Sequence, residues 1–152
     1  MTADEFDLAG EADTNALGRS VAAALTAGDA ICLSGPLGAG KSTLARALIR
    51  ALTRIDEEVP SPTFTLVQQY EGRGFPVAHF DLYRLERADE IDELGLDEAL
   101  DAGAAVIEWP QRLEGRLPHD RLDIEISFQG DGRRARLTPH GAWESRDFNF
   151  RP

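Results

Sequence analysis

The chain is 152 residues long with a formal net charge of −11, one domain by size and able to bury about 68–70% of the surface its unfolded form exposes. Sixteen cations against 27 acids argue against a protein that grips nucleic acid by itself, which needs clustered Lys and Arg. No apolar run reaches membrane-span length, the start "MTADEFDLAG" is acidic where a secretion signal is basic and then apolar, and the single Cys32 has no internal disulfide partner, so a cytoplasmic protein is expected.

"EFDLA" (5–9) alternates Phe6 and Leu8 with acids, the pattern of a short edge strand. In "ADTNALGRSVAAALTAGD", Leu17, Val21, Ala24 and Leu25 fall at helical spacing. Asp13 or Thr14 offers an N-cap there, and Gly28 sits where such a helix would stop. "AICLSG" (30–35) is a short apolar run bounded by turn residues and predicts a buried parallel strand. After the loop "GPLGAGKST" (35–43), "KSTLARALIRAL" (41–52) sets Leu44, Leu48 and Leu52 on one stripe of a helix. "EEVPSPTFTLVQQYEG" (57–72) starts as a loop with two prolines and becomes a strand near Thr65 to Tyr70. "RGFPVAHFDLYRL" (73–85) adds a turn and a strand from about Val77 to Asp81.

"ERADEIDELGLDEALDAG" (86–103) is strongly acidic, with Ile91, Leu94, Leu96, Ala99 and Leu100 at helical apolar spacing. It reads as a helix with a solvated face, with an acidic docking surface as the alternative. "AAVIEWP" (104–110) is a second buried strand, ending on Glu108 and followed by Trp109 and a proline. In "RLDIEISFQGDGRRARLT" (121–138), Leu122, Ile124, Ile126 and Phe128 alternate with polar residues, "GDG" turns, and another strand returns. That is an antiparallel hairpin with one wet face, beside an α/β core. The expected fold is therefore α/β: a single P-loop NTPase domain over residues 1–138, with a mixed, mainly parallel sheet and a C-terminal antiparallel hairpin. The tail 139–152 has no clear period and receives no assignment.

Gly35, Gly40, Lys41 and Ser42 meet the pattern G-x-x-x-x-G-K-[ST], with a strand before and a helix after. The glycines let successive N–H groups of Gly35, Pro36, Leu37, Gly38, Ala39 and Gly40 (proline excepted) curl around phosphate oxygens. The helix behind adds its positive dipole end. Lys41 would reach the β- and γ-phosphates, Ser42 would ligate Mg²⁺, and Thr43 would touch the α-phosphate. Lys41 is the only lysine beside fifteen arginines, which marks a position where a compact ammonium serves and a planar fork does not. Mg²⁺ also needs a carboxylate at a neighbouring strand end, and Asp81 and Glu108 are the two candidates. Local sequence leaves open which of them holds the metal and which positions water. Thr63, and after it Thr65, are the candidates for a switch threonine that senses the γ-phosphate through the metal. His79 reads as a structural imidazole within its strand, and Trp109 as core or as a contact surface.

Taken together, "GPLGAGKST", "SPTFTLVQQY", "HFDLYRL", "ELGLDE" and "VIEWPQRLEGRLP" resemble successive signatures of the TsaE family, also known as YjeE, from about Thr14 to Leu137. The resemblance implies a compact P-loop α/β domain that binds ATP with Mg²⁺ and hydrolyses it slowly alone. It implies dependence on the partners TsaB and TsaD, which transfer the threonylcarbamoyl group to the adenosine 3′ to the tRNA anticodon, so that tRNA is reached only through partners. Carried onto this chain, it puts Lys41 and the loop on phosphates, Ser42 and Glu108 on Mg²⁺, and Asp81 as catalytic acid or water-positioning group. It puts Thr14 and Arg133 around the base. The acidic surface agrees with such a role, and residues 86–101 or Trp109 are the expected docking surface for the partners. Ser42 departs from the family's usual threonine, although both hydroxyls ligate Mg²⁺.

Three other readings compete. A small-molecule kinase shares the strand, loop and acid but needs an arginine-bearing lid, for which only Arg84 and Arg87 are suitably placed. A regulatory GTPase would need an N-K-x-D stretch, which a chain whose single lysine is Lys41 cannot supply. A nucleotide-dependent scaffold would bind without needing to hydrolyse.

Overall fold

Ala30–Ser34 (β2), Pro76–Asp81 (β4) and Ala104–Glu108 (β5) are too apolar to leave either face in water, and the chain lays them side by side in parallel. The computed structural model describes residues 4–54, 58–60, 65–147 and 150. Around the three central strands it adds β1 (Asp4–Leu8), β3 (Val67–Glu71), β6 (Arg121–Gln129) and β7 (Gly132–His140). The result is one seven-stranded sheet in the order β1-β7-β6-β2-β5-β4-β3. Its parallel pairings occupy the centre, β4 to β5, β5 to β2 and β2 to β6. Both margins are antiparallel, β3 on β4 and β1 on β7 on β6. The predicted hairpin of β6 and β7 is therefore not an appendage. β6 is a direct neighbour of β2 along five paired positions from Ala30 to Ser34.

Strand alternation divides the core into two layers. Ile31, Leu33, Val77, Val106, Ile124 and Ile126 face the helices α1 (Glu11–Ala24) and α2 (Lys41–Leu52), packing with Leu17, Val21, Leu44 and Leu48. Cys32, Ala78, Phe80, Ala105 and Ile107 face the opposite side, covered by Leu82, Ile91, Leu96 and Leu113. The two long helices approach closely at Gly18, where an added Cβ would lie 2.8 Å from that of Ala47.

Several local expectations shift. α1 begins at Glu11 with Gly10 as its N-cap, so neither Asp13 nor Thr14 caps it. Asp13 instead accepts the Ala9 N–H at 2.8 Å, and Thr14 is buried inside the helix. The acidic segment is not one helix: a 3-10 turn (Ala88–Glu90) leads into α3 (Ile91–Leu94), and Gly95 at φ 83° separates it from α4 (Leu96–Ala102). β3 starts at Val67, leaving Thr65 in the turn before it. Phe128 is 52% exposed rather than core: the pairing of β6 with β2 ends at Glu125, and the Arg133 guanidinium lies over its ring, 4.5 Å from the centroid. β7 runs two residues into the tail to His140, and Trp143, in the 3-10 turn Gly141–Ser145, is buried in the α1–α2 layer. No described helix is long and apolar enough to cross a membrane.

Candidate nucleotide site

β2 delivers the chain to Gly35 at φ 140°, where an added Cβ would lie 2.2 Å from the Ile126 carbonyl oxygen, so no larger residue fits. The loop then closes on Gly40, whose φ of 111° is left-handed backbone that glycine adopts without cost, and α2 starts at the next residue. Four consecutive N–H groups at that helix start have no intrahelical acceptor, and they aim the positive end of the dipole at the loop's concavity.

Lys41 is the first residue of α2 and only 5% exposed. Its ammonium donates to the Gly35 carbonyl and, at 3.0 Å, to that of Pro36, and it lies 4.2 Å from the centroid of the Trp109 ring. Burial pulls the Lys41 pKa below its ordinary 10.5, with Glu108 and Asp81 pulling the other way and only partly offsetting it. Ser42 Oγ donates to Glu108 Oε1 at 3.2 Å, and Glu108 Oε2 is 2.7 Å from His79 Nε2. Asp81 ends β4 directly opposite Glu108, which ends β5. One oxygen of Asp81 accepts the Tyr83 backbone N–H at 3.1 Å, and the Tyr83 ring lies 5.0 Å from the Trp109 ring. Trp109 itself has φ 63° and opens the 3-10 turn Pro110–Leu113.

These groups converge on a cavity of about 410 Å³, lined by Leu37, Gly38, Gly40 and Tyr83 besides Lys41, Ser42, Thr43, Asp81, Glu108 and Trp109. It lies at the carboxyl ends of β2, β4 and β5, the edge where open α/β sheets bind ligands. Other expected residues sit outside it. Ala39 is buried, and its carbonyl and that of Gly38 accept the Arg133 guanidinium at 3.2 and 3.3 Å, so Arg133 fastens the outside of the loop. Gly35 and Pro36 also line a separate cavity of about 720 Å³ beyond Trp109. Thr14 is buried within α1, while Glu11 and Asn15 of the same helix line a groove that reaches Thr43. Thr65 is exposed, one residue before Leu66, whose carbonyl accepts the Asp81 N–H at 2.9 Å. Thr63 lies outside the described residues.

The donor set suits Mg²⁺. Ser42 Oγ and Glu108 Oε1 are hard oxygens already within hydrogen-bond reach of each other, with the Asp81 carboxylate on the adjacent strand end. No group of three or more His, Cys, Asp or Glu among the described residues forms an all-protein cage. Mg²⁺ is ordinarily held by one or two carboxylates together with substrate phosphates and water. Two residues carry more of the site than their local sequence announces. His79 occupies one oxygen of Glu108, and Tyr83 braces Trp109. The signal for His79 is that it shares a strand face with Asp81, two residues on.

Such a cradle serves many nucleotide-binding proteins, and relatedness narrows the choice. Residues 8–136 match the family model described as "Threonylcarbamoyl adenosine biosynthesis protein TsaE". The chain belongs to the TsaE family. The Bacillus subtilis (strain 168) protein, named tRNA threonylcarbamoyladenosine biosynthesis protein TsaE, is 41% identical over 125 residues, covering 80% of this chain and 76% of that one. The TsaE of Nostoc sp. is 38% identical over 148 residues, covering 91% and 90%. The crystal structure of Bacillus subtilis YdiB superposes with a TM-score of 0.78 at 29% identity, over 94% of this chain and 90% of that one. The TsaE match takes in β2, the loop, α2, both carboxylates and Arg133 in one span.

Proposed function

We propose that the chain binds Mg²⁺–ATP in the cavity between Lys41 and Asp81 and hydrolyses it to ADP and phosphate, supporting a TsaB–TsaD complex that modifies the tRNA adenosine 3′ to the anticodon. The chain's family is one of tRNA threonylcarbamoyladenosine biosynthesis, and that is the pathway the hydrolysis would serve. The observation that carries the reading is the contact of Ser42 Oγ with Glu108 Oε1 at 3.2 Å, beside Asp81 and beneath the lone lysine.

Each group has a distinct task. The loop N–H groups and the α2 N-terminus take phosphate oxygens, and Lys41 exchanges the Gly35 and Pro36 carbonyls for the β- and γ-phosphates. Ser42 and Glu108 would hold Mg²⁺, which neutralises charge building on the phosphates. Asp81 positions the attacking water and accepts its proton. Thr43 touches the α-phosphate, and Arg133 keeps the loop curled from outside while flanking the base. Thr14 supports the base side only through the α1 N-terminus. Thr65 remains the switch candidate within the described residues, next to the strand that bears Asp81. Trp109, over Lys41, is the surface on which partners would read or set the site. With a net charge of −11, tRNA is met through those partners, and the working compartment is the cytoplasm.

The test is phosphate release from ATP, measured with and without TsaB–TsaD. Slow release alone and faster release with partners is expected. Transfer of phosphate to a small acceptor in place of release would replace this reading with that of a kinase.

A further inference from the structure

His79 sits in the middle of β4, only 2% exposed, with its Nε2 2.7 Å from Glu108 Oε2. Glu108 is equally buried, and its other oxygen, Oε1, takes the Ser42 hydroxyl. The second ring nitrogen of His79, Nδ1, is buried without a hydrogen-bond partner among the described residues. That asymmetry selects a tautomer. With its proton on Nε2, the ring donates to Glu108 and leaves only a bare lone pair at Nδ1. With the proton on Nδ1, an N–H would be buried without an acceptor and a lone pair would face a carboxylate oxygen.

We propose that His79 is a positioning residue whose Nε2–H occupies Glu108 Oε2 and thereby fixes the carboxylate with Oε1 alone turned towards Ser42 and the phosphates. The proposal rests on the Mg²⁺–ATP reading above and adds to it how the carboxylate is presented. An unrestrained glutamate at a strand end could offer both oxygens to a cation, or swing away. Here one oxygen is spoken for, so Glu108 offers a single donor in a fixed plane. Hydrogen bonds of this kind behind a ligating carboxylate typically change metal affinity 10- to 100-fold when removed. Asp81 lies two residues along the same face, so one strand would carry both the residue that aims the metal ligand and the residue that handles water.

The test compares His79→Leu, which fills space without donating, with His79→Gln, whose amide nitrogen can donate in the place of Nε2. ATP binding is measured by calorimetry in EDTA and in Mg²⁺. His79→Leu should weaken binding about 10- to 100-fold in Mg²⁺ and leave binding in EDTA unchanged, and His79→Gln should recover most of the loss. Equal weakening in EDTA and in Mg²⁺, or none in either, would overturn the proposal. Imidazole nitrogen spectra of the ligand-free protein give a second arm that needs no nucleotide and no change at His79. A protonated Nε2 that shifts in Glu108→Gln supports the hydrogen bond, and a ring protonated at Nδ1 and bare at Nε2 overturns it. Absence of any Mg²⁺-dependent ATP binding by the wild type, with the nitrogen spectra as expected, would sink the nucleotide reading while leaving His79 as the anchor of Glu108.

Discussion

The ammonium of Lys41 stands 4.2 Å from the centroid of the Trp109 ring while it donates to the carbonyls of Gly35 and Pro36. The lone lysine is thus held by its own loop and by the aromatic residue that follows Glu108. A ligand that takes the ammonium must also uncover the ring.

That geometry makes Trp109 a reporter. In a Trp143→Phe background, which leaves a single indole, adding Mg²⁺–ATP should change Trp109 emission as the ammonium moves from the ring to phosphate. Lys41→Met should abolish the change, and Lys41→Arg should not restore it, because a planar fork cannot make the same compact contacts. Unaltered emission on saturation with ATP would show that Lys41 stays where it is.

The pH dependence of stability around Lys41 has a definite sign. Burial lowers its folded pKa below the ordinary 10.5, so between those two values the unfolded chain binds more protons than the folded one, and stability rises with pH across that window. Below the window the folded state carries the whole cost of a buried ammonium. Lys41→Met should therefore gain stability relative to wild type at pH 7, and the gap should narrow as pH rises towards 10.5. Urea unfolding of both proteins at pH 7 and pH 10 measures the gap, and a gap that widens would contradict the assignment.

Ser42 and Glu108 should act as a pair. Ser42→Ala removes one hydroxyl from the contact with Glu108 Oε1 and should lower Mg²⁺-dependent ATP affinity by about 2 kcal/mol, roughly 30-fold. Ser42→Thr, which keeps the hydroxyl, should retain it. Affinity in EDTA should differ little among the three proteins, a comparison that calorimetry makes directly.

Cys32, in β2, is buried on the sheet face covered by Leu82 and Leu113, and burial, reinforced by Asp123, pushes its thiol up to about 12. Only thiolate reacts with alkylating agents. The native protein should resist iodoacetamide at pH 8 for hours, and the urea-unfolded chain should react within minutes. Rapid alkylation of the native state, followed by mass spectrometry, would show that the β2 region opens.

The loop and its flanking elements are legible in the sequence because all their signals are local: an apolar run, glycines at the turn, then Leu44 and Leu48 at helical spacing. Asp81 and Glu108 are legible as strand-end carboxylates, but their adjacency depends on β5 lying between β2 and β4, which is a long-range fact. The bond from His79 to Glu108 spans 29 residues, and no local pattern encodes it. Gly10 hides the start of α1, since a cap without a side chain leaves no chemical mark and draws attention to Asp13 and Thr14 instead. In the acidic segment, the step of two from Leu94 to Leu96 interrupts the helical period where Gly95 turns left-handed. Phe128 follows the alternation of its strand faithfully and still lies exposed, because alternation says which face a residue takes and not whether anything covers that face.

Gly35 is wedged against the Ile126 carbonyl with no room for a side chain, and β2 is gripped along its length by β5 and β6. The strand that feeds the loop is therefore a fixed support. On the other side of the loop, the chain leaves β5 through Trp109 and passes to Glu114, both at positive φ, by way of a single short turn. Of that turn, only Trp109 lines the cavity. Whatever fills the cavity therefore meets that turn at the Trp109 ring, and meets β2 only through the loop that Gly35 opens.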